Sequence, residues 1–215
     1  TAGGSLSVAD YFTMYNTVSE SNADEDLGSG GALVLPDLKN AAGNTVHLAV
    51  GAGKDSNIYV VNRDSMGKFN PNNDSAIYQE LGGAVGGGVW SMPAYFNGTV
   101  YYGGVSDSLK AFPITNAMLA TTPASVSAAN YGYPGATPSV SANGSSDGIV
   151  WAVENGGTGV LHAYDATNLA NELYNSNQAG SRDQFSDNKF ITPMIANGKV
   201  YVGTPTGVIV FGVLP

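Results

Sequence analysis

The feature that most constrains this chain is a unit of short strands and tight turns that recurs about every 50 residues. A proline begins each copy, at Pro36, Pro93, Pro138 and Pro193, so the spacings are 57, 45 and 55 residues. In the last copy, Asn197-Gly198 separates two apolar runs, a strong hairpin signal because both turn residues need positive φ. Several strands repeated near this period are typical of the blades of a β-propeller.

Two further strands follow each proline. The second strand is predicted at residues 45–51, 99–103, 148–153 and 199–203, and the third at 57–62, 108–112, 159–164 and 207–211. Because an isolated meander of three or four strands cannot cover its own apolar faces, neighbouring copies must stack. A proline suits the start of the innermost strand, since that strand is an edge where a missing N–H costs no ladder hydrogen bond.

The sequence therefore predicts one all-β domain over residues 1–215, a β-propeller of about four four-stranded antiparallel blades. The blades are expected at about residues 28–82, 89–131, 137–178 and 189–215. The last copy lacks a fourth strand, and a strand at residues 5–13 would complete a blade and close a four-blade ring. The open alternative is that the chain is the C-terminal half of a seven- or eight-bladed propeller. One short helix is predicted at residues 165–174, with Leu169, Leu173 and Tyr174 on one side.

Composition restricts the partners. Eight basic against 17 acidic side chains give a net charge of −9 with no basic cluster, so no nucleic-acid partner is expected. No apolar run reaches 18 residues, so no membrane span is expected. The chain has no cysteine, which removes disulfides, thiolate metal sites and cysteine nucleophiles. Few lysines, many small polar residues and a pI of about 4.3 indicate an extracellular or periplasmic protein.

Three segments, Ile58–Asp64, Val160–Thr167 and Gly198–Val208, resemble the repeats of the quinoprotein-like β-propellers. In that family a Val-Tyr-Val-Gly strand is followed by a glycine turn and an aliphatic-aromatic strand. Residues 24–31 and 131–138 are similar to segments of larger, mostly uncharacterised bacterial members, whose rings have seven or eight blades. The resemblance runs from about Leu6 to Leu214, and it favours the half-propeller over the closed ring of four blades.

The resemblance implies a cofactor only as an alternative. Enzymes of this superfamily bind pyrroloquinoline quinone with Ca²⁺, but the adjacent cysteines of the alcohol-oxidising branch are absent here. The glucose-oxidising branch uses a histidine base, and His47 and His162, the two histidines, lie in strands of different copies, where we interpret both as structural. We therefore predict no catalytic residue and no cofactor. The alternative is a part or remnant of a quinone-dependent dehydrogenase that binds pyrroloquinoline quinone and Ca²⁺.

Candidate ligand-binding residues precede the inner-strand prolines. Trp90, Tyr131, Tyr133 and Phe190 are expected near one mouth of the axial channel, where an aromatic rim would suit a sugar or a flat ligand. Packing between blades is the other interpretation of these rings. Asp24 and Asp26 supply the hard oxygen ligands that Ca²⁺ prefers, although a solvated acidic loop has the same composition.

The function predicted from these features is that of a non-catalytic exported β-propeller. It would act as a rigid binding or structural and assembly module rather than as an enzyme. A protein or a glycan is a possible partner, and so is a second copy, because an unpaired blade edge is a template for strand pairing.

Overall fold

The structure, a computed structural model, describes residues 2–212 and is mostly β. The N-terminal part contains a 3₁₀ turn at Ala2–Gly4, strand β1 at Phe12–Thr13, helix α1 at Thr17–Ala23 and a second 3₁₀ turn at Leu27–Ser29. No helix in the described range is long and apolar enough to cross a membrane.

The first sheet follows the N-terminal part. Residues 33–81 contain strands β2 (Leu33–Val34), β3 (Leu38–Lys39), β4 (Thr45–Val46), β5 (Leu48–Ala52), β6 (Ile58–Asn62), β7 (Lys68–Phe69) and β8 (Gln79–Leu81). The antiparallel order is β2-β5-β6-β8, while β3 and β4 form a separate hairpin. In β5 the alternate residues Leu48, Val50 and Ala52 are buried toward the second sheet. This follows from the period-2 alternation of side chains along a strand.

The second and third sheets repeat this arrangement. The second contains β9 (Ala94–Phe96), β10 (Thr99–Gly103), β11 (Asp107–Thr115), β12 (Met118–Leu119) and β13 (Ser125–Tyr131). The third contains β14 (Ser139–Asn143), β15 (Ser146–Glu154), β16 (Thr158–Asp165) and β17 (Asn168–Asn175), followed by a 3₁₀ segment at Ser176–Asp183 and β18 (Phe185–Ser186). Successive long strands pair antiparallel, and short β12 and β18 pair with the third strands β11 and β16.

The fourth sheet has three strands among the described residues. They are β19 (Met194–Ala196), β20 (Lys199–Thr204) and β21 (Gly207–Phe211), paired antiparallel in sequence order. The repeat is thus confirmed as consecutive antiparallel sheets, three of them with at least four strands, which is consistent with propeller blades.

Three hydrophobic clusters join the sheets in sequence. The first cluster lies between the first and second sheets, around Val60 and Phe112. The second joins the second and third sheets, around Tyr101 and Tyr164, and the third joins the third and fourth sheets, around Leu161. The second and third sheets are therefore covered on both faces, as expected for repeats that cannot bury their apolar surface alone.

The Asn-Gly turns have the backbone geometry that the sequence predicts. Asn97 and Gly98 have φ values of 45° and 82°, and Asn197 and Gly198 have values of 51° and 69°. Each pair connects the first two strands of its sheet. Both turn residues lie in the left-handed region, where asparagine and glycine are the favoured residues.

The predicted helix at residues 165–174 is wrong, because this segment forms the outer strand β17. Leu169 is fully buried in the cluster shared with the second sheet, whereas Leu173 is 48% exposed. The two leucines do not share a buried side, as they would in a helix. Pairing with β16 and burial of Leu169 outweigh the weak local preference for a helix.

The N-terminal segment differs from the expected strand at residues 5–13. Within it, Phe12–Thr13 alone forms a strand, which pairs in parallel with β7 beside the first sheet and not with the last sheet. The Phe12 ring lies 5.6 Å from the Tyr59 ring, and Asp10 accepts a hydrogen bond from the Met66 N–H. These contacts hold the segment against the first sheet, while Leu6 and Val8 are 93% and 82% exposed.

The fold disfavours the ionised form of the Glu20 carboxyl on helix α1. The residue is 4% exposed, its Oε1 accepts from Asn16 Nδ2 at 2.7 Å, and its Oε2 has no partner. Burial, followed by the nearby Asp55 carboxylate, raises the pKa of Glu20 above its ordinary value of 4.5. Because the pKa of Glu20 is higher in the folded state, the protonated carboxyl stabilises the fold at low pH. This stabilisation is lost as pH rises through the folded-state pKa and the buried carboxyl ionises.

We therefore expect Glu20→Gln to stabilise the protein at pH 7. The amide removes the buried charge, and the gain is about 1 kcal/mol, or roughly 2–4 °C in melting temperature for a chain of this size. The gain should vanish when pH falls below 4.5, where the wild-type carboxyl is protonated in both states. Asp147→Asn is the control, because its side chain is exposed. An equal effect of Glu20→Gln at pH 3 and pH 7 would contradict this prediction.

Candidate functional site

Three of the four predicted rim residues meet at the surface. The rings of Trp90 and Tyr133 lie 5.4 Å apart at an interplanar angle of 79°, and those of Tyr133 and Phe190 lie 6.0 Å apart at 87°. We call Trp90, Tyr133 and Phe190 the aromatic cluster. Edge-to-face contacts of this kind are favourable for aromatic pairs. Tyr133 and Phe190 remain 47% and 58% exposed, and Trp90 is half-buried.

Three successive sheets position the aromatic cluster. Trp90 lies three residues before Pro93 and Phe190 three residues before Pro193, whereas Tyr133 lies five residues before Pro138. The segments that contain them lead into the inner strands β9, β14 and β19. Inner strands of neighbouring sheets lie close together, and Ser139 Oγ donates to the Pro193 carbonyl at 2.6 Å. The repeat therefore brings the segments that precede three consecutive first strands to one place.

Polar and charged groups surround the aromatic cluster. Lys189 Nζ lies 5.0 Å from the centroid of the Tyr133 ring, a cation–π distance. Asn155 Nδ2 donates to the Tyr133 carbonyl at 3.0 Å, and one Asp187 oxygen accepts from the Gly156 and Gly157 N–H groups, each at 2.9 Å. The surface thus combines exposed ring faces with a cation, an amide and a carboxylate.

Tyr131 does not belong to the aromatic cluster. It is fully buried, and its hydroxyl lies 3.0 Å from the Tyr164 hydroxyl. Burial raises the pKa of Tyr131 well above its usual range. Tyr131 is the last residue of β13, so its side chain follows the alternation of that strand into the core, whereas Tyr133 lies beyond the strand.

His162 is the centre of a buried polar network next to Tyr131. Its Nδ1 lies 2.6 Å from Glu172 Oε1, and its Nε2 lies 3.1 Å from Glu154 Oε2. The imidazole stacks on the Tyr164 ring at 5.8 Å and 5°. Both ring nitrogens thus have partners inside the sheet, so His162 is hydrogen-bonded as expected from the sequence. His47 likewise lies 2.7 Å from Asp64.

The two predicted metal-binding residues converge on a lysine. Lys54 Nζ lies 2.7 Å from Asp24 Oδ1 and 3.1 Å from Asp26 Oδ2. The hydrogen bond from Lys54 lowers the pKa of Asp24. In residues 2–212 no group of three or more His, Asp or Glu side chains could hold a metal ion. This donor set does not fit the Ca²⁺ that accompanies pyrroloquinoline quinone, so we derive no step through that cofactor.

A groove of about 610 Å³ lies between the outer parts of the third and fourth sheets. Apolar side chains line most of it, including Ile149, Trp151 and Phe211. Asp183 lies at its edge, where hydrogen bonds from Arg182 and then Tyr174 lower its pKa to about 2. Nothing in the local sequence marked this groove, because it depends on how the two sheets pack.

Comparison with known proteins gives a distant likeness in shape. No protein-family model matches the chain, and no curated protein matches it. The crystal structure of the computationally designed Ika8 protein is 13% identical with a TM-score of 0.49, over 77% of this chain and 43% of Ika8. The designed Ika4 protein is 14% identical with a TM-score of 0.47, over 77% of this chain and 85% of Ika4. The chain thus spans less than half the length of Ika8.

Proposed function

We propose that this chain forms β-propeller blades and acts as a non-catalytic, exported binding module whose ligand docks on the aromatic cluster. The observation that carries the proposal is the convergence of three rings from three successive sheets, two of which stay about half exposed. Rings that only wedge blades together would be covered, as Tyr131 is.

A glycan is the ligand class that fits this surface best. The apolar face of a sugar ring packs against exposed aromatic rings, while its hydroxyls need donors and acceptors nearby. Tyr133 and Phe190 supply the exposed rings, and Asp187 and Lys189 supply charged hydrogen-bonding groups beside them. The edge-to-face packing fixes the rings before binding, which lowers the entropy cost of association.

Binding to an array of oligosaccharides, followed by titration of the best binder, tests this proposal. We expect Tyr133→Ala to weaken the measured affinity about 30-fold or more, because a truncated central aromatic residue costs about 2 kcal/mol or more in a binding site. Trp90→Ala should have a similar effect, and Trp90 fluorescence should change on binding.

Tyr15→Ala is the matched control, because Tyr15 is 48% exposed, its N–H donates to Asp74, and its ring makes none of the ring contacts of the aromatic cluster. Its affinity for the same oligosaccharide should equal that of the wild type. If no glycan binds, or if Tyr133→Ala and Tyr15→Ala bind the glycan equally well, the proposal is wrong.

A further inference from the structure

The last sheet has an apolar face that nothing in the described chain covers. Val200 and Val202 face the third sheet, so the alternate residues of the same strands point the other way. On that outer face Met194, Val208 and Val210 are 58%, 64% and 47% exposed. Tyr201 lies on the same face, with Met194 opposite it on β19 and Val210 opposite it on β21. We call this the outer face of the last sheet.

The first sheet has a corresponding outer face at the other end of the series. Val34, Ala49 and Val61 lie opposite the side that packs on the second sheet; Val34 is 62% exposed, Val61 is half-buried and Ala49 is buried. A shallow, almost wholly apolar cavity of about 140 Å³ continues this face past Ala32 and Tyr59 to Phe12. In residues 2–212 no hydrophobic cluster joins the last sheet to the first.

The charges around the two outer faces are complementary. Residues 2–34 contain five acidic side chains and no basic one, and two of the five, Asp24 and Asp26, pair with Lys54. Residues 189–212 contain two lysines and no acidic side chain. Contact between the two N-terminal parts of a pair of copies would bring like charges together. Contact between a last sheet and a first sheet brings opposite charges together, which favours a head-to-tail arrangement.

In residues 2–212 the last sheet has no strand beyond β21, and the same range contains an exposed segment that lies outside any strand. The free edge of β21 lies beside the groove between the third and fourth sheets. Residues 5–9, which include Leu6 and Val8, are exposed and lie outside any strand. They precede β1, which is held beside the outer side of the first sheet by pairing with β7. A last sheet docked on the first sheet would thus place its free edge near this segment.

We propose that two copies of this chain associate head to tail, with the outer face of the last sheet of each copy packed on the outer face of the first sheet of the other. Residues 5–9 of each copy then pair with the β21 edge of its partner. The two contacts are related by a two-fold axis, so the assembly closes and leaves no apolar end face in water. Each new contact continues the sheet-on-sheet packing that already joins the four sheets of one copy.

Sedimentation over a range of concentrations tests the association. We expect a mass of twice 22.0 kDa that dissociates on dilution, and Val210→Glu should weaken the dimer about 100-fold or more by placing a charge at the contact. Val126→Glu is the matched control, since Val126 is an exposed valine on β13 and lies opposite Lys110. It should leave the dimer unchanged. A monomer at every concentration, or a dimer insensitive to Val210→Glu, overturns the proposal.

Cysteine cross-linking tests the head-to-tail geometry, because the chain has no cysteine of its own. An oxidised mixture of the single variants Val34→Cys and Val208→Cys should give the mixed disulfide in preference to either symmetric one. Preference for a symmetric cross-link overturns the arrangement. In the double variant Val34→Cys/Val208→Cys, we expect cross-links between copies. A cross-link within one monomer would show that one copy closes on itself and would also overturn the proposal.

Discussion

Replacing Phe112 by alanine should destabilise the protein by about 3–5 kcal/mol, because it leaves a cavity in the hydrophobic cluster that joins the first and second sheets. Phe112 is fully buried on β11, and its ring packs edge-to-face on Tyr102 at 6.5 Å. A domain of this size has a total stability of about 5–15 kcal/mol, so the loss is a large fraction of it. We expect the melting temperature to fall by roughly 10 °C.

Phe190→Ala is the matched control for this experiment. It removes the same side chain from a position that is 58% exposed, so the loss is limited to the edge-to-face contact with Tyr133, about 0.5–1.5 kcal/mol. Denaturant titration of both variants measures the difference. A cost below about 1 kcal/mol for Phe112→Ala would mean that the two sheets do not depend on each other for stability.

Gly87→Ala should be the second strongly destabilising change, at about 2–5 kcal/mol. Gly87 has a φ of 60°, and a Cβ at this position would lie 2.1 Å from the Val105 carbonyl oxygen. The left-handed backbone alone costs an alanine about 1–2 kcal/mol. The clash adds roughly 1–3 kcal/mol, since a backbone oxygen cannot turn away as a side chain can.

Gly83→Ala separates the two causes. Gly83 has nearly the same φ, 62°, but a Cβ there would meet nothing within 4 Å. It should therefore show the conformational cost alone, about 1–2 kcal/mol. If both variants lose the same free energy of unfolding, the close approach of the Gly86–Gly88 segment to the turn before β11 is not a packing constraint.

The parts of the fold that local chemistry determines could be predicted from the sequence. The Asn97-Gly98 and Asn197-Gly198 turns were predictable because few residues tolerate their backbone angles. The repeat of strands was predictable because apolar alternation and glycine turns recur with it. The strand β17 was not predictable, because the burial of Leu169 against the second sheet outweighs its helix-like local sequence.

The candidate site could be predicted only in part. The repeat placed Trp90, Tyr133 and Phe190 in the segments before the inner-strand prolines, and the structure brings the three rings together. Tyr131 and Tyr133 are only two residues apart, and sequence alone does not show that β13 ends between them. Lys189 and Asp187 were missed because their relation to the aromatic cluster depends on how the third and fourth sheets pack.

Neighbouring sheets stabilise each repeat, and they cover both faces of the second and third sheets. Residue-resolved hydrogen exchange under native conditions tests this claim most directly. The amides of β10, β11, β15 and β16 lie in sheets covered on both faces within one copy, and we expect them to form the slowest-exchanging set. If the slowest amides instead lie in residues 2–34, or if these four strands exchange as fast as the exposed segment at residues 5–9, the claim is contradicted.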